Sequence, residues 1–280
     1  DGIRDIGVTG VQTCALPIFA PAADGPAAGH LPAFLADKGI DRTGRATIEE
    51  ATAWDDAVQQ AAVRVLLRLA APAELVARWR KDAVAFAPAA SAVDDRLVAV
   101  HGRAVCVAPL PLTPEQRELA AGRDHVDVVR IVDSGGAVVD VLMPVAPAGW
   151  QRGGPIDEPT TVFGLPLSTA VGPRPVGWPE APAALLLAAP NAAWIPPTPL
   201  GALGMDYALF DTVSDGRPLQ PGDGAAFFTM LAACDGMADT PPAEPTDVLP
   251  LIDPAQKWFA THRGDEVVIA GTAQIGRAHV

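Results

Sequence analysis

Apolar residues spaced three and four positions apart predict an amphipathic helix over residues 51–69, and Pro72 ends the pattern. Thr47 and Glu50 precede it in the order of a capping box, with a hydroxyl at the N-cap and a carboxylate three residues later. A second, shorter helix is predicted over residues 73–81. The early part of the chain is therefore expected to be helical.

After these helices the pattern changes to alternation of apolar and polar residues, which is typical of strands. Gly102 lies in the middle of the first predicted strand and indicates a bulge or sharp bend. Gly135 and Gly136 allow a tight hairpin turn between the second and third strands. A run of leucines predicts that the fifth strand is buried on both faces. The five predicted strands cover residues 97–107, 125–133, 137–145, 160–168 and 183–189.

Five short strands, the first of them long and bent at a glycine, predict a small closed barrel of the oligonucleotide/oligosaccharide-binding (OB) type over residues 96–197. The connection at residues 147–159 is rich in Pro and Gly, so the helix usual in such barrels is not expected there. The predicted fold class is α+β, with a helical segment at residues 38–95 followed by the five-stranded OB-like β-barrel.

A truncated second copy of this arrangement is predicted over residues 198–274. Residues 266–273 repeat the glycine and the alternation of residues 97–104, and Phe227 opens a predicted helix as Trp54 does in the first copy. The offset of about 170 residues is too long for a solenoid. The alternative explanation is chance similarity in a chain rich in Ala and Val.

Both ends of the chain resemble translated sequencing adapter. Residues 8–18 read VTGVQTCALPI and match a common short-read adapter codon for codon, and residues 275–280 match the start of the complementary adapter. We therefore exclude residues 1–18 and 275–280 from fold reasoning and expect the rest to be a piece of a longer reading frame. Residues 19–37 are rich in Ala, Pro and Gly and are predicted to be a flexible linker.

Several short segments carry a resemblance to a known group of proteins. They are residues 215–219 (DGRPL) with Phe227 and Phe228, residues 249–254 (LPLIDP) and the two glycine-containing strands. Together they resemble uncharacterised bacterial proteins, common in planctomycete-like genomes, that carry tandem helix plus OB-like barrel units. Members often have a membrane anchor or export signal, so the resemblance implies a cell-envelope or exported protein. A cytoplasmic location stays open.

The charge balance narrows the choice of partners. The chain of 280 residues has 33 Asp and Glu against 20 Lys and Arg, which gives a net charge of −13. Such acidity argues against nucleic acid, because phosphate binding needs Lys and Arg. No apolar run reaches the roughly 18 residues of a membrane span, so no transmembrane segment is predicted in this sequence. The expected partner is an unknown protein or envelope component.

Motifs for catalysis are missing from the sequence, which has no HExxH, GxSxG, Walker, GxGxxG or CxxC pattern. We therefore predict no catalytic residue, no cofactor and no metal site. His125 and Asp127 share one face of a strand and could form half of an acid–base or metal site, although a surface contact explains them as well. Cys106 and Cys234 are predicted to be inert core residues. The Arg-Gly-Asp tripeptide at residues 263–265 is explained as a turn.

Trp150 and Trp178 are the speculative ligand-binding residues, because both lie in Pro/Gly loops of the predicted barrel. The alternative role of each ring is to cover an end of the barrel. We expect a non-catalytic structural or interaction module of a bacterial envelope or exported protein. One alternative is a ligand-binding OB-like barrel for oligosaccharide or, with less support, single-stranded nucleic acid. Another is an enzyme whose site lies partly outside this sequence.

Overall fold

The computed structural model describes residues 31–40, 42–71, 73–88, 95–180, 182–213, 220 and 223–235. Its helices are α1 (Leu31–Asp37), α2 (Arg42–Glu49), α3 (Asp56–Arg68), α4 (Ala73–Lys81), α5 (Pro114–Leu119), α6 (Pro199–Ala202), α7 (Gly224–Asp235) and a 3-10 helix (Tyr207–Thr212). Its strands are β1 (Val84–Ala85), β2 (Val98–Pro111), β3 (His125–Asp133), β4 (Val138–Met143), β5 (Pro155–Ser168), β6 (Leu185–Ala188) and β7 (Ala192–Trp194). None of the helices in these ranges is long and apolar enough to span a membrane.

The strands form one mixed sheet of seven strands in the order β1-β2-β3-β4-β6-β5-β7. In addition β2 pairs with β5, so the pairing runs from β2 through β3, β4, β6 and β5 and returns to β2. Within this ring β4 and β6 are parallel and the other neighbours are antiparallel. The α+β class predicted from the sequence is confirmed, and the five predicted strands correspond to β2 through β6.

One face of the sheet builds an aliphatic cluster that we call the inner core. Successive side chains of a strand point to opposite faces, so alternate apolar residues of β3 and β4 enter this cluster. The prediction that the fifth strand is buried on both faces is confirmed, because every residue of β6 is buried. The inner core includes Val100, Val107, Val129, Ile131, Val139, Val141, Val162, Leu185 and Leu187.

The opposite face of the sheet packs against the helices and forms the outer core. Strands β3, β4 and β6 each contribute apolar residues that alternate with their inner-core residues. From the helical side, α3 contributes most of its buried side chains. The sheet is therefore covered on both sides. The outer core includes Val126, Val128, Leu142, Leu186, Val58, Ala62, Val65, Leu66 and Trp79.

The long predicted helix begins later than the sequence pattern indicated. Thr47, predicted as its N-cap, lies inside α2, and α3 starts after Asp55, whose side chain accepts a hydrogen bond from the Val58 amide at 2.9 Å. The chain leaves the helical conformation between α2 and α3, so that both helices bury an apolar side. Ile48 of α2 is fully buried, as are side chains of α3. The predicted helix over 73–81 matches α4.

Part of the predicted linker is folded. Residues 31–37 form α1, with Leu31 and Leu35 buried in the outer core. Their spacing of four places them on one side of a helix, a signal that the Ala, Pro and Gly content of the segment obscured. The helix predicted at Phe227, in the second copy, corresponds to α7. The predictions for residues 1–18, 215–219, 249–254, 263–265, 266–273 and 275–280 lie outside the described residues.

The bend in β2 lies near Gly102 but not at it. The register of β2 shifts between Ala104 and Cys106 in its pairing with both β3 and β5. Gly102 is needed for a different reason, because a Cβ there would lie 2.3 Å from the carbonyl oxygen of Val132. The glycine therefore permits close approach of two backbones. The elements β1, β7, α5, α6 and the 3-10 helix were not predicted.

Candidate functional site

Trp150 lies in the connection between β4 and β5, and its ring is packed into the inner core. Only 2% of the residue is exposed, and its ring meets Trp194 edge to face with centroids 6.4 Å apart. No helix forms between residues 144 and 154, as the sequence predicted. Trp150 therefore fills the end of the inner core from a loop and presents no ring face to solvent.

Trp178 lies in the connection between β5 and β6 and is also buried, at 8% exposure. Its ring faces the guanidinium of Arg130 at 5.1 Å, and its Nε1 donates to the Asp140 carboxylate at 3.4 Å. Trp178 belongs to the outer core, whereas Trp150 belongs to the inner core. The structure does not bring the two candidate ligand-binding residues together in one groove.

The partners of Trp178 form a buried polar cluster that the sequence analysis missed. Arg130 on β3 and Asp140 on β4 are opposite each other in register, and Arg130 donates to both carboxylate oxygens at 2.8 and 2.9 Å. A third donor of the guanidinium bonds the carbonyl of Pro179 at 3.0 Å. A bidentate pair with aromatic cover satisfies the charges inside the protein. The available signal was the pair of opposite charges flanking a predicted hairpin turn.

The outer face of β3 and β4 is thus occupied over most of its length. At one end Val128 and Leu142, which are opposite each other in register, pack in the outer core with α3. At the other end the β5–β6 connection covers the Arg130 pair with Trp178. The end of β2 is also held, since the Gln59 side chain of α3 donates to the Pro111 carbonyl at 2.9 Å.

His125 and Asp127, which the sequence placed on one strand face, lie near each other, with Nε2 and Oδ1 3.8 Å apart. The Asp127 carboxylate is fully buried and accepts hydrogen bonds from the Ala146 amide at 2.7 Å and from Arg152 Nη2 at 2.8 Å. This hydrogen bond to the carboxylate raises the pKa of Arg152. Asp127 therefore fixes the loop that carries Trp150. Arg152 is 25 residues away in sequence, and no spacing rule pointed to it.

The two cysteines give no site in the described structure. Cys106 is partly buried and packs against the outer core, next to the register shift of β2. Burial is the main cause that raises the pKa of its thiol. Cys234 belongs to α7, and its side chain lies outside the described structure. Across the described ranges, no three His, Cys, Asp or Glu side chains are grouped so that they could hold a metal ion.

The chain matches no protein-family model, no curated protein and no solved structure.

An open groove of about 420 Å³ lies between the α2–α3 connection and the β5–β6 connection. Thr52 and Trp54 line one side, and residues 170–172 with Arg174 line the other. Trp54 is half-buried and donates to the side chain of Gln59 at 3.4 Å, while Arg174 is exposed. Trp and Arg are the side chains most enriched where proteins contact each other strongly. The groove is suited to receive a side chain of a protein partner.

A smaller cavity of about 50 Å³ lies between the same β5–β6 connection and the outer face of β3 and β4. Arg130, Asp140, Ser168 and Arg174 contribute to its lining. The Ser168 hydroxyl accepts hydrogen bonds from the amides of Ala170 and Val171 at 3.1 Å, which shapes the turn between the cavity and the groove. The cavity has room for only a few water molecules. The groove is therefore the candidate contact site.

Proposed function

We propose that the described unit is a non-catalytic structural or interaction module built on an OB-like barrel. The returning order of strand pairing supports the barrel, because a sheet whose last strand pairs with its first leaves no edge within the ring. The single inner core enclosed by β2 through β6 supports it as well. The placement in a bacterial envelope or exported protein rests on the sequence resemblance.

One observation carries the functional part of the proposal: the outer face of β3 and β4 is covered by protein. In OB barrels the ligand lies on the face of the second and third strands, between the first and the last loop. Here those strands correspond to β3 and β4, and their face carries α3 at one end and Trp178 at the other. A ligand would have to displace part of the hydrophobic core.

The same observation counts against the alternative function. A barrel that binds oligosaccharide or single strands uses exposed aromatic rings. Trp150 and Trp178 are buried in different cores, and the net charge of −13 opposes a polyanion. For this alternative to hold, both rings would have to leave their cores.

A tandem arrangement is the second part of the proposal. The predicted second-copy helix is matched by α7, with Phe227 in the first half of that helix. A small separate cluster already forms after β7, with Leu200, Met205 and Tyr207 packed against partly buried residues that include Met230 of α7. This cluster supports the start of a further unit after the first one.

Binding and stability measurements on the full chain test the proposed module. We expect no saturable binding to a glycan array or to single-stranded DNA oligonucleotides. Replacing Trp178 by Ala is expected to lower the free energy of unfolding by about 3–5 kcal/mol, as for other buried aromatic residues. Trp54→Ala is the matched control, because the half-buried Trp54 is expected to cost clearly less. Saturable glycan binding by the wild-type chain that Trp178→Phe abolishes would overturn the proposal in favour of the ligand-binding barrel.

A further inference from the structure

α7 is an apolar helix that the described structure covers on one side only. Its sequence, GAAFFTMLAACD, has no charged residue before the terminal Asp235. Ala226 and Ala233 are buried, and Met230 packs against the small cluster of Leu200, Met205 and Tyr207. An α-helix that is apolar on all sides is normally buried. The uncovered side of α7 therefore requires a partner.

The uncovered side, which we call the outer face of α7, consists of Ala225, Phe228, Leu231 and Ala232. Spacings of three and four residues place these four side chains together and opposite the buried side. Phe228 is 69% exposed and Leu231 is 47% exposed. Contiguous exposed apolar residues indicate a contact site, whereas single ones do not.

We propose that residues 247–273 of the same chain cover the outer face of α7 and begin a second core with it. This extends the tandem arrangement proposed above. Residues 236–246 connect α7 to residues 247–273, which we call the tail. So short a tether keeps the tail at an effective concentration in the millimolar range near α7. A partner in another molecule would have to compete with that local concentration.

The composition of the tail matches this role. Residues 266–273 correspond to residues 97–104, and in the first unit Val100 and Ala104 of that segment are fully buried. In the first unit, too, a helix precedes this strand: the amphipathic α3 buries its apolar side in a core. The apolar side chains available in the tail are Val248, Leu249, Leu251, Ile252, Trp258, Phe259, Val267, Val268 and Ile269.

Hydrogen exchange of the full chain tests the contact from both sides. In the wild type, amides of residues 247–273 are expected to exchange about tenfold or more slowly than in an unfolded peptide. The double variant Phe228→Glu/Leu231→Glu should remove this protection. Leu119→Glu is the matched control, because Leu119 is a leucine of similar exposure, 49%, at the end of α5. Exchange of β2 through β6, read in the same experiment, shows that the first unit stays folded.

The reciprocal variant changes the tail. Trp258→Ser/Phe259→Ser is expected to accelerate exchange of α7 amides about tenfold, and Thr261→Ser is its control. Sedimentation is expected to show a monomer at all concentrations. Unfolded-peptide exchange rates in the wild-type tail would overturn the proposal. So would a dimer that Phe228→Glu dissociates, since a second copy would then cover α7. Neither result bears on glycan binding, so the proposed module function is tested separately.

Discussion

The guanidinium of Arg130 and the carboxylate of Asp140 form a buried bidentate ion pair across β3 and β4, with nitrogen–oxygen distances of 2.8 and 2.9 Å. The pair lies under the ring of Trp178 and links the hairpin to the β5–β6 connection through the Pro179 carbonyl. In the OB-like barrel proposed above, the outer face of these two strands would be the ligand surface. The ion pair and the ring of Trp178 occupy part of that face.

Removing one partner of this pair is expected to lower the free energy of unfolding more than removing both. Arg130→Met leaves the Asp140 carboxylate buried without its cation, and we expect a loss of about 3–5 kcal/mol in the free energy of unfolding. Arg130→Met/Asp140→Leu leaves no buried charge, so the loss should be smaller than in either single variant. Urea denaturation of the wild type, Arg130→Met, Asp140→Leu and the double variant measures the coupling. Additive losses would contradict a direct interaction.

The helix boundary can be tested with two single substitutions. Asp55 is the N-cap of α3 and accepts from the Val58 amide, so Asp55→Ala should lower the free energy of unfolding by about 1 kcal/mol. Thr47 is exposed within α2, where Ala is a better helix former, so Thr47→Ala should be neutral or slightly stabilising. Thermal and urea denaturation distinguish the two. The opposite ranking would restore the capping box predicted from the sequence.

A Cβ at Gly102 cannot fit without movement of the sheet. It would approach the Val132 carbonyl oxygen to 2.3 Å, so Gly102→Ala is expected to destabilise the protein by about 1–3 kcal/mol, as overpacking does elsewhere. Gly172 has nothing within 4 Å of its Cβ position, and Gly172→Ala serves as the control with a change within about 1 kcal/mol. The measurement is the free energy of unfolding in urea. Equal effects would show that β2 and β3 are not so close at Gly102.

Asp206 makes stability depend on pH in a defined direction. Burial raises the pKa of its carboxyl above 3.8, despite hydrogen bonds from the amides of Trp194 and Ala208 to Oδ1. The folded state then holds the proton more tightly than the unfolded state. This contribution to stability is present at and below the ordinary pKa and is lost as pH rises through the raised, folded-state pKa.

The variant Asp206→Asn isolates that effect, since it keeps an Oδ1 acceptor and cannot ionise. The free energy of unfolding of the variant, minus that of the wild type, should increase as pH rises from about 4 toward neutrality. Urea denaturation at a series of pH values provides the comparison. A difference that stays constant with pH would show that the folded state does not perturb Asp206.

Local patterns predicted the strands because each signal was contained within a few residues. Alternation located β2 through β6, and the leucine run of β6 indicated burial on two faces. The start of α3 was wrong because Thr47 and Asp55 are both good N-caps. Only the packing of Ile48 in the outer core, through a separate α2, decides between them.

The surroundings of Trp150 and Trp178 were harder to predict, because they depend on contacts between residues that are distant in sequence. Trp178 and Asp140 are 38 residues apart, and Arg152 and Asp127 are 25 apart. A Trp in a Pro/Gly loop has the same local sequence whether its ring faces solvent or stacks on a buried Arg130. Loop composition therefore placed both tryptophans correctly in connections between strands. Whether each ring faces solvent or the core depends on the tertiary fold.

Trp194 touches Trp150 on one side, at 6.4 Å between ring centroids, and Tyr207 on the other, at 5.7 Å. Its amide also donates to Asp206 at 2.9 Å. The same ring packs against both the inner core and the small cluster of Leu200, Met205 and Tyr207. Loss of this one ring would therefore disturb two otherwise separate hydrophobic clusters.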